Sequence, residues 1–200
     1  MKKLIILFAV IFCVMGVQRT QAQIVEEGNV VVDAYYGWPN LYTTVLKSLY
    51  VGNTGSAEKL GSIGPLGVRF EYMLSDVVGI GADLGYVNTY VEWRDVGFSG
   101  STYNYKVSAP KIHALLRMNF HFTQHDKVDA FGGFGVGYRN RTFKFESNDP
   151  DYTGGKVESL IPVGLRLCIG VRYFFTENIG VGTEFGLGGP LLSFGVSVRM

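Results

Sequence analysis

Residues 161–173 read Ile-Pro-Val-Gly-Leu-Arg-Leu-Cys-Ile-Gly-Val-Arg-Tyr. One parity of this stretch is Ile161, Val163, Leu165, Leu167, Ile169, Val171 and Tyr173; the other is Pro162, Gly164, Arg166, Cys168, Gly170 and Arg172. A β-strand turns successive side chains to opposite faces, so this segment has one apolar face and one cationic face dotted with glycine. The same period of two recurs along the chain, with 27 glycines, only 6 prolines and no convincing amphipathic helix beyond the first residues. The chain reads as all-β.

Eight strands follow from the pattern, at 29–37, 66–74, 78–93, 106–122, 128–143, 157–173, 179–188 and 191–200. Their connections alternate in length. Residues 38–65, 94–105 and 144–156 are long, whereas 75–77, 123–127 and 176–178 are short, polar and suited to tight reversal. Gly189-Pro190 breaks the alternation with a connection no longer than a hairpin turn. Short turns on the periplasmic side and longer loops outside are the habit of transmembrane barrels, and an even strand count leaves both termini in the periplasm. The hairpin 72–85 matches 173–186 type for type, each copy being strand, turn, strand; two copies so far apart do not make a solenoid.

The N-terminus has the three parts of an export signal. Lys2 and Lys3 are followed by an apolar run over 4–17 and by Thr20-Gln21-Ala22 before Gln23. The expected division is a signal peptide at 1–22 and one β-barrel domain at 23–200. The apolar run is shorter than the roughly 20 residues of a spanning helix, and Phe12 before Cys13 is too bulky for a lipobox. Losing Lys2, Lys3 and Arg19 leaves 15 basic residues against 17 acidic ones, a net charge of −2, which does not suggest a nucleic-acid partner. Cys168 then stands alone, so no intramolecular disulfide is possible. No Cys/His metal cluster and no cofactor motif stands in the sequence.

Parity assigns the faces. The outward set includes Val68, Phe70, Tyr72, Ile80, Leu84, Leu116, Phe134, Val136, Val181, Phe185, Phe194 and Val196, and no charge falls in it. A single Arg or Lys near the midplane of a lipid-facing wall costs about 2–4 kcal/mol, so a charge-free parity is what hydrocarbon enforces. Tyr36 and Trp38 toward one rim, and Tyr72, Phe122 and Tyr173 toward the other, are placed as interfacial girdles; ordinary strand propensity explains them as well. Arg69, Arg117, Arg139, Arg141, Arg166, Arg172 and Arg199 share the inward parity with Asp33, Glu71, Asp83, Asp129 and Glu184. Lys111, His113, Leu115, Arg117, Asn119 and His121 face inward from one strand, and Gly133, Gly135 and Gly137 on its neighbour leave room for them. The lumen of an eight-stranded barrel is only wide enough for side chains to fill. A plugged interior is expected, with Arg69 near Asp83 and Arg172 near Glu184 in hairpin register. This lattice either gates an ion path or fills and locks the barrel, and lumen size favours the second.

At this point the chain resembles the outer-membrane β-barrel domain family of Gram-negative bacteria, the small OmpA/OmpX-type barrels. The signal peptide, the alternating strands, the hairpin from Glu71-Tyr72 to Gly85 and the C-terminal strand carry the resemblance, over essentially all of 23–200. It implies an antiparallel up-and-down transmembrane barrel in the outer membrane. In this family the last strand ends in an assembly signal: a polar residue, glycine, then two alternating aromatics with Phe terminal. Ser193, Gly195, Val198 and Met200 keep the spacing and replace the aromatics. The resemblance implies outer-membrane lipid and the barrel assembly machinery as partners, and architecture more than activity, since such barrels include adhesins, anchors, narrow channels and a few lipid-modifying enzymes.

Catalysis needs a nucleophile or base with an orienting partner, and no Ser-centred motif stands near the histidines. His113 is read as the one histidine near the lumen centre, within reach of Asp129 or Glu71; His125 is read as exposed. The reading is therefore a non-enzymatic, monomeric barrel. It acts in the envelope structurally or through loops 41–62 and 145–155, whose Tyr, Asn, Gly and Ser suit recognition of an extracellular ligand or host surface. The alternative is a narrow porin-like channel. A soluble lipocalin-like barrel would invert the faces, but the apolar set is too large for one small lumen.

Overall fold

The computed structural model describes residues 24–39, 57–96, 100–123 and 125–200, with Ala57 and Glu58 described by backbone alone. The expected signal peptide and the stretch 40–56 of the first loop lie outside the described residues. Ten strands are formed: β1 Val30–Trp38, β2 Ala57–Met73, β3 Val78–Val96, β4 Thr102–Ser108, β5 Lys111–His121, β6 Val128–Ser147, β7 Gly155–Glu158, β8 Val163–Phe174, β9 Ile179–Leu187 and β10 Leu192–Arg199. Each of β1, β2, β3, β5, β6, β8, β9 and β10 pairs antiparallel with the next, and β1 also pairs with β10. Eight strands therefore close a ring and leave no sheet edge around the barrel. β4 continues the place of β5 between β3 and β6, and β7 continues that of β8 against β6.

Parity sorts the two faces as the sequence predicts. Leu84, Leu116, Val136, Leu165, Leu167 and Phe185 all stand exposed on the outside, Leu116 at 72%. Arg69, Glu71, Asp83, Arg117, Asp129, Arg166, Arg172 and Glu184 are buried within. Glycine makes this inversion sterically possible. A Cβ on Gly133 would run into the Asn119 amide, and one on Gly164 would meet Leu115 and Arg139, so bare positions on one wall admit long side chains from the next.

The turn end is closed by the chain itself. Ile24 donates its N–H to His125 O at 3.0 Å, Glu27 to Asp76 Oδ1 at 2.9 Å and Gly28 to Met73 O at 2.9 Å, which folds 24–28 across the mouth. Ile24 and Val25 pack there with Val31, Met73 and Phe174 in an apolar cluster. Ser75 and Thr176 make equivalent turns: the hydroxyl of each accepts two backbone N–H groups, from Val77 and Val78 and from Asn178 and Ile179 respectively.

Strand lengths at the other end differ from expectation. β2, β3 and β6 have 17, 19 and 20 residues, against 9, 9 and 8 in β1, β9 and β10. About 9–11 residues suffice to cross the hydrocarbon, so one side of the wall rises well above the lipid belt. Residues 57–65, 94–96, 102–105, 144–147 and 155–156, read as loop, belong to this raised sheet. The segment read as one strand at 106–122 is divided at Ala109-Pro110, where Pro110 has no N–H for the ladder, and 157–173 is divided at 159–162.

Replacing Leu116 by Arg should lower stability in lipid vesicles by about 2–4 kcal/mol, read from urea unfolding. An unchanged midpoint would mean that this face does not meet hydrocarbon.

Candidate functional site

Two hubs of opposite sign occupy the lumen. In the one nearer the turn end, Arg172 of β8 is ringed by three carboxylates. It donates from Nη1 to Asp129 Oδ2 at 2.8 Å, and from Nη2 to Glu71 Oε2 at 2.7 Å and Asp33 Oδ2 at 2.9 Å. The Phe131 ring lies 4.4 Å from its guanidinium carbon. His121 fills the gap between two of the same acids, with Nδ1 2.6 Å from Asp129 Oδ1 and Nε2 3.0 Å from Glu71 Oε1. Carboxylates only accept, so both ring nitrogens act as donors, which is the imidazolium form. Asn119 Nδ2 donates to Glu71 Oε1 at 2.6 Å and Ser197 Oγ to Asp33 Oδ1 at 2.6 Å.

In the other hub Glu184 of β9 is ringed by three guanidiniums. Arg117 Nη2 reaches Oε2 at 2.7 Å, Arg166 Nε reaches Oε1 at 2.8 Å, and Arg69 Nη2 lies 3.3 Å from Oε1. Asp83 shares two of them, 3.7 Å from Arg69 Nε and 3.5 Å from Arg117 Nη1, and accepts from the Tyr35 hydroxyl at 2.8 Å. Tyr35 also carries the Arg69 guanidinium over its ring at 3.8 Å. Arg69 Nη2 donates to Ser193 Oγ at 2.8 Å. Together, four guanidiniums and one imidazolium face five carboxylates, so the two hubs balance each other. A cavity of about 10 Å³ lies beside Arg172 and Glu184, no more than one water needs.

The geometry corrects four sequence readings. Arg69 and Asp83 do lie opposite one another, but Arg172 is opposite Gly182 and its partners are Asp33, Glu71 and Asp129, while Glu184 belongs to the other hub. His113 meets Asp83, with Nε2 3.2 Å from Oδ1, and neither Asp129 nor Glu71. His121, not His113 alone, sits deep in the lumen, and it is the one that meets Asp129 and Glu71. Arg199 is outside the lattice: it fastens the turn end, donating from Nε to Glu177 O at 2.7 Å and from Nη1 to Ile24 O. Lys111, Arg139 and Arg141 face inward at the outer mouth, above both hubs. Of the C-terminal positions, Ser193 is buried, Gly195 lies against the Ala34 carbonyl, and Val198 and Met200 are exposed. Tyr35, Phe131 and Ser197 were not singled out; their inward parity is the signal that marks them. Among the described residues, no group of three or more His, Cys, Asp or Glu is arranged to hold a metal ion.

The raised sheet carries the second polar constellation. Lys59, Glu92, Lys106 and Glu146 stand in one register row across β2, β3, β4 and β6, alternating in sign, with Lys106 Nζ 2.9 Å from Glu92 Oε1. On the opposite, inward face of the same strands Trp93 stacks on Tyr105 at 5.8 Å and Tyr152 meets Tyr105 edge-on at 5.5 Å. Tyr105 donates its hydroxyl to Asp149 Oδ2 at 2.8 Å, and that hydrogen bond pushes its pKa up to about 12. The charged row, with Arg94, Asn104 and Asn148, borders a cleft of about 500 Å³.

A closed antiparallel barrel, apolar outside and salt-bridged inside, defines an integral membrane β-barrel. The family model described as outer membrane protein beta-barrel domain matches residues 5–189, and the chain belongs to that family; it is an outer-membrane protein. Three solved structures are similar. They are the N-terminal β-barrel domain of Pseudomonas aeruginosa OprF (16% identity, 88% of this chain and 100% of that chain, TM-score 0.45), the attachment invasion locus protein Ail of Yersinia pestis (12%, 87% and 99%, 0.42) and E. coli outer membrane protein W (16%, 88% and 99%, 0.43). No curated protein matches the chain.

Removing one member of a buried charge cluster leaves the others uncompensated, at about 3–5 kcal/mol. Glu184→Gln should therefore lower the urea midpoint of the refolded barrel more than Glu146→Gln on the exposed row. Adding Arg69→Gln to Glu184→Gln should recover part of the loss, as a double-mutant cycle would read.

Proposed function

We propose that this protein is a closed barrel that serves the envelope structurally and meets extracellular partners through its raised sheet, with no catalytic role. The observation that carries this reading is the pair of mutually neutralising hubs that spans the lumen, with a cavity of about 10 Å³ between them. A passing ion would have to displace arginines that each hold two or three partners, in an interior where an unpaired charge costs several kcal/mol. Opposed to this stable core is a raised wall with alternating charges and a 500 Å³ cleft on one side and clustered aromatic rings on the other. Alternating charges lining one cleft suit recognition of a polar partner of complementary charge.

The same proposal takes residues 1–22 as a cleaved signal and 23–200 as the barrel. Burial of Ile24 and Val25 in the turn-end mouth favours a cut just before them. It takes the barrel as a monomer, and Ser193, Gly195, Val198 and Met200 as the signal read by the assembly machinery. In planar bilayers the purified protein should give no sustained single-channel steps. Steps that vanish or change size in Arg117→Gln or Arg166→Gln would replace this reading with the narrow channel. On intact cells, added protease should cut within 41–62 or 145–155.

A further inference from the structure

Seven of the ladders that make the ring join strands that succeed one another along the chain, and the eighth joins its two ends. β1 and β10 pair from Val31 opposite Arg199 to Trp38 opposite Leu192, with every other strand of the barrel lying between them in sequence. A pairing of such high sequence separation closes the longest loop and forms late. No turn ties its two strands together, so this seam is where the closed ring parts most easily.

At the turn end, the chain ahead of β1 runs from this seam across the mouth. Arg199, the last residue of β10, donates from Nη1 to Ile24 O, and the same atom lies 3.5 Å from Asn29 Oδ1, while Nε holds Glu177 O in the β8–β9 turn at 2.7 Å. Ile24 is fixed from its other side by His125 O in the β5–β6 turn, and Glu27 by Asp76 in the β2–β3 turn. Val25 is fully buried, in the cluster with Val31 of β1, Met73 of β2 and Phe174 of β8. The anchors of this short segment thus come from all three turns and from both strands of the seam. They stand together only in a closed ring, so residues 24–29 can seat only after β1 and β10 have met.

The seam in turn cannot part while the segment is seated. β10 leaves β1 only if Arg199 releases Ile24 and Asn29, and β1 moves away only if Val25 is drawn out of its apolar cluster into water. We propose that residues 24–29 are a latch that holds the β1–β10 seam shut and sets the lifetime of the closed barrel. Contacts made after the transition state of folding act on the unfolding rate and leave the folding rate alone. Gly28 isolates this effect. Its φ of +84° disfavours a side chain, yet no atom lies within 4 Å of an added Cβ, so Gly28→Ala strains the segment and crowds nothing.

The test follows folding and unfolding rates of the whole barrel in phospholipid vesicles at fixed urea, read from the mobility of folded and unfolded protein on unheated SDS gels. Gly28→Ala should speed unfolding about tenfold and leave the folding rate within about twofold. Val25→Asp, which puts a carboxylate into the apolar cluster, and Arg199→Gln, which removes the hold on Ile24, should also speed unfolding. The same substitutions are then made in a barrel whose seam is closed covalently. Ala34 and Val196 stand directly opposite each other on the exposed face of β1 and β10, within reach of a disulfide once both are cysteine. In the oxidised Ala34→Cys, Val196→Cys barrel Gly28→Ala should no longer change the unfolding rate, and reduction should restore the tenfold effect. A segment that only adds buried contacts would speed unfolding equally with the seam locked or free, and that result overturns the latch. So does a Gly28→Ala barrel that unfolds at the wild-type rate, or one whose folding slows as much as its unfolding accelerates, since the segment would then be seated before the seam closes.

Discussion

Pairing of charge in a space without bulk water is the constraint on which this barrel depends. Eight strands leave room for side chains only, and each arginine of the two hubs meets an anion that another wall supplies. The solution is a nested one. Arg172 gathers Asp33, Glu71 and Asp129 from β1, β2 and β6, and Glu184 gathers Arg69, Arg117 and Arg166 from β2, β5 and β8. Strands far apart in the chain are thereby tied across the lumen by contacts that their own ladders do not make. The network also sets register, because sliding any strand by one residue would turn its charge toward lipid.

The architecture was legible in the sequence because lipid is an uncompromising solvent. Within the belt, hydrocarbon admits no charge on the outward parity, and Leu84, Leu116, Val136, Leu165 and Phe185 obey it without exception. Above the belt that rule lapses. Residues 57–62 and 144–147 carry Lys, Glu, Gly and Ser on strands that water contacts, and they read as loop because composition there follows solvation and not the ladder. Their pairing with β3, β4 and β7 is held by backbone hydrogen bonds that leave no mark on side-chain type.

The candidate site was legible only as far as adjacent strands reach. Arg69 and Asp83 face each other across one short hairpin, and their register follows from the turn. Arg172 and its partners Asp33 and Glu71 are separated by 139 and 101 residues and approach across the barrel, a distance that depends on closure and stagger. The same limit explains the exchange between His113 and His121. They lie eight positions apart on the same parity of β5, and which carboxylates each meets is fixed by how far the opposite wall is sheared. Tyr35 and Phe131 escaped notice for another reason: an aromatic ring on the inward parity reads as packing until an arginine is found lying on it.

A lumen packed with leucine would fill the same volume, and the choice of ions over hydrocarbon has a physical reason in the path to the folded state. Strands apolar on both faces would read as continuous hydrophobic segments, prone to pair with one another before the barrel closes. Strands with one charged face stay soluble on that face until the ring forms, and only then do the charges lose water and find each other. The cost of desolvating them is offset once the carboxylates and guanidiniums reach hydrogen-bonding distance, as Asp33, Glu71, Asp129 and Glu184 do, while Asp83 accepts from the Tyr35 hydroxyl. Stability in this design is therefore concentrated in complete closure: a barrel lacking one strand would expose a hub with its counter-charges missing. That dependence makes insertion and folding a single event.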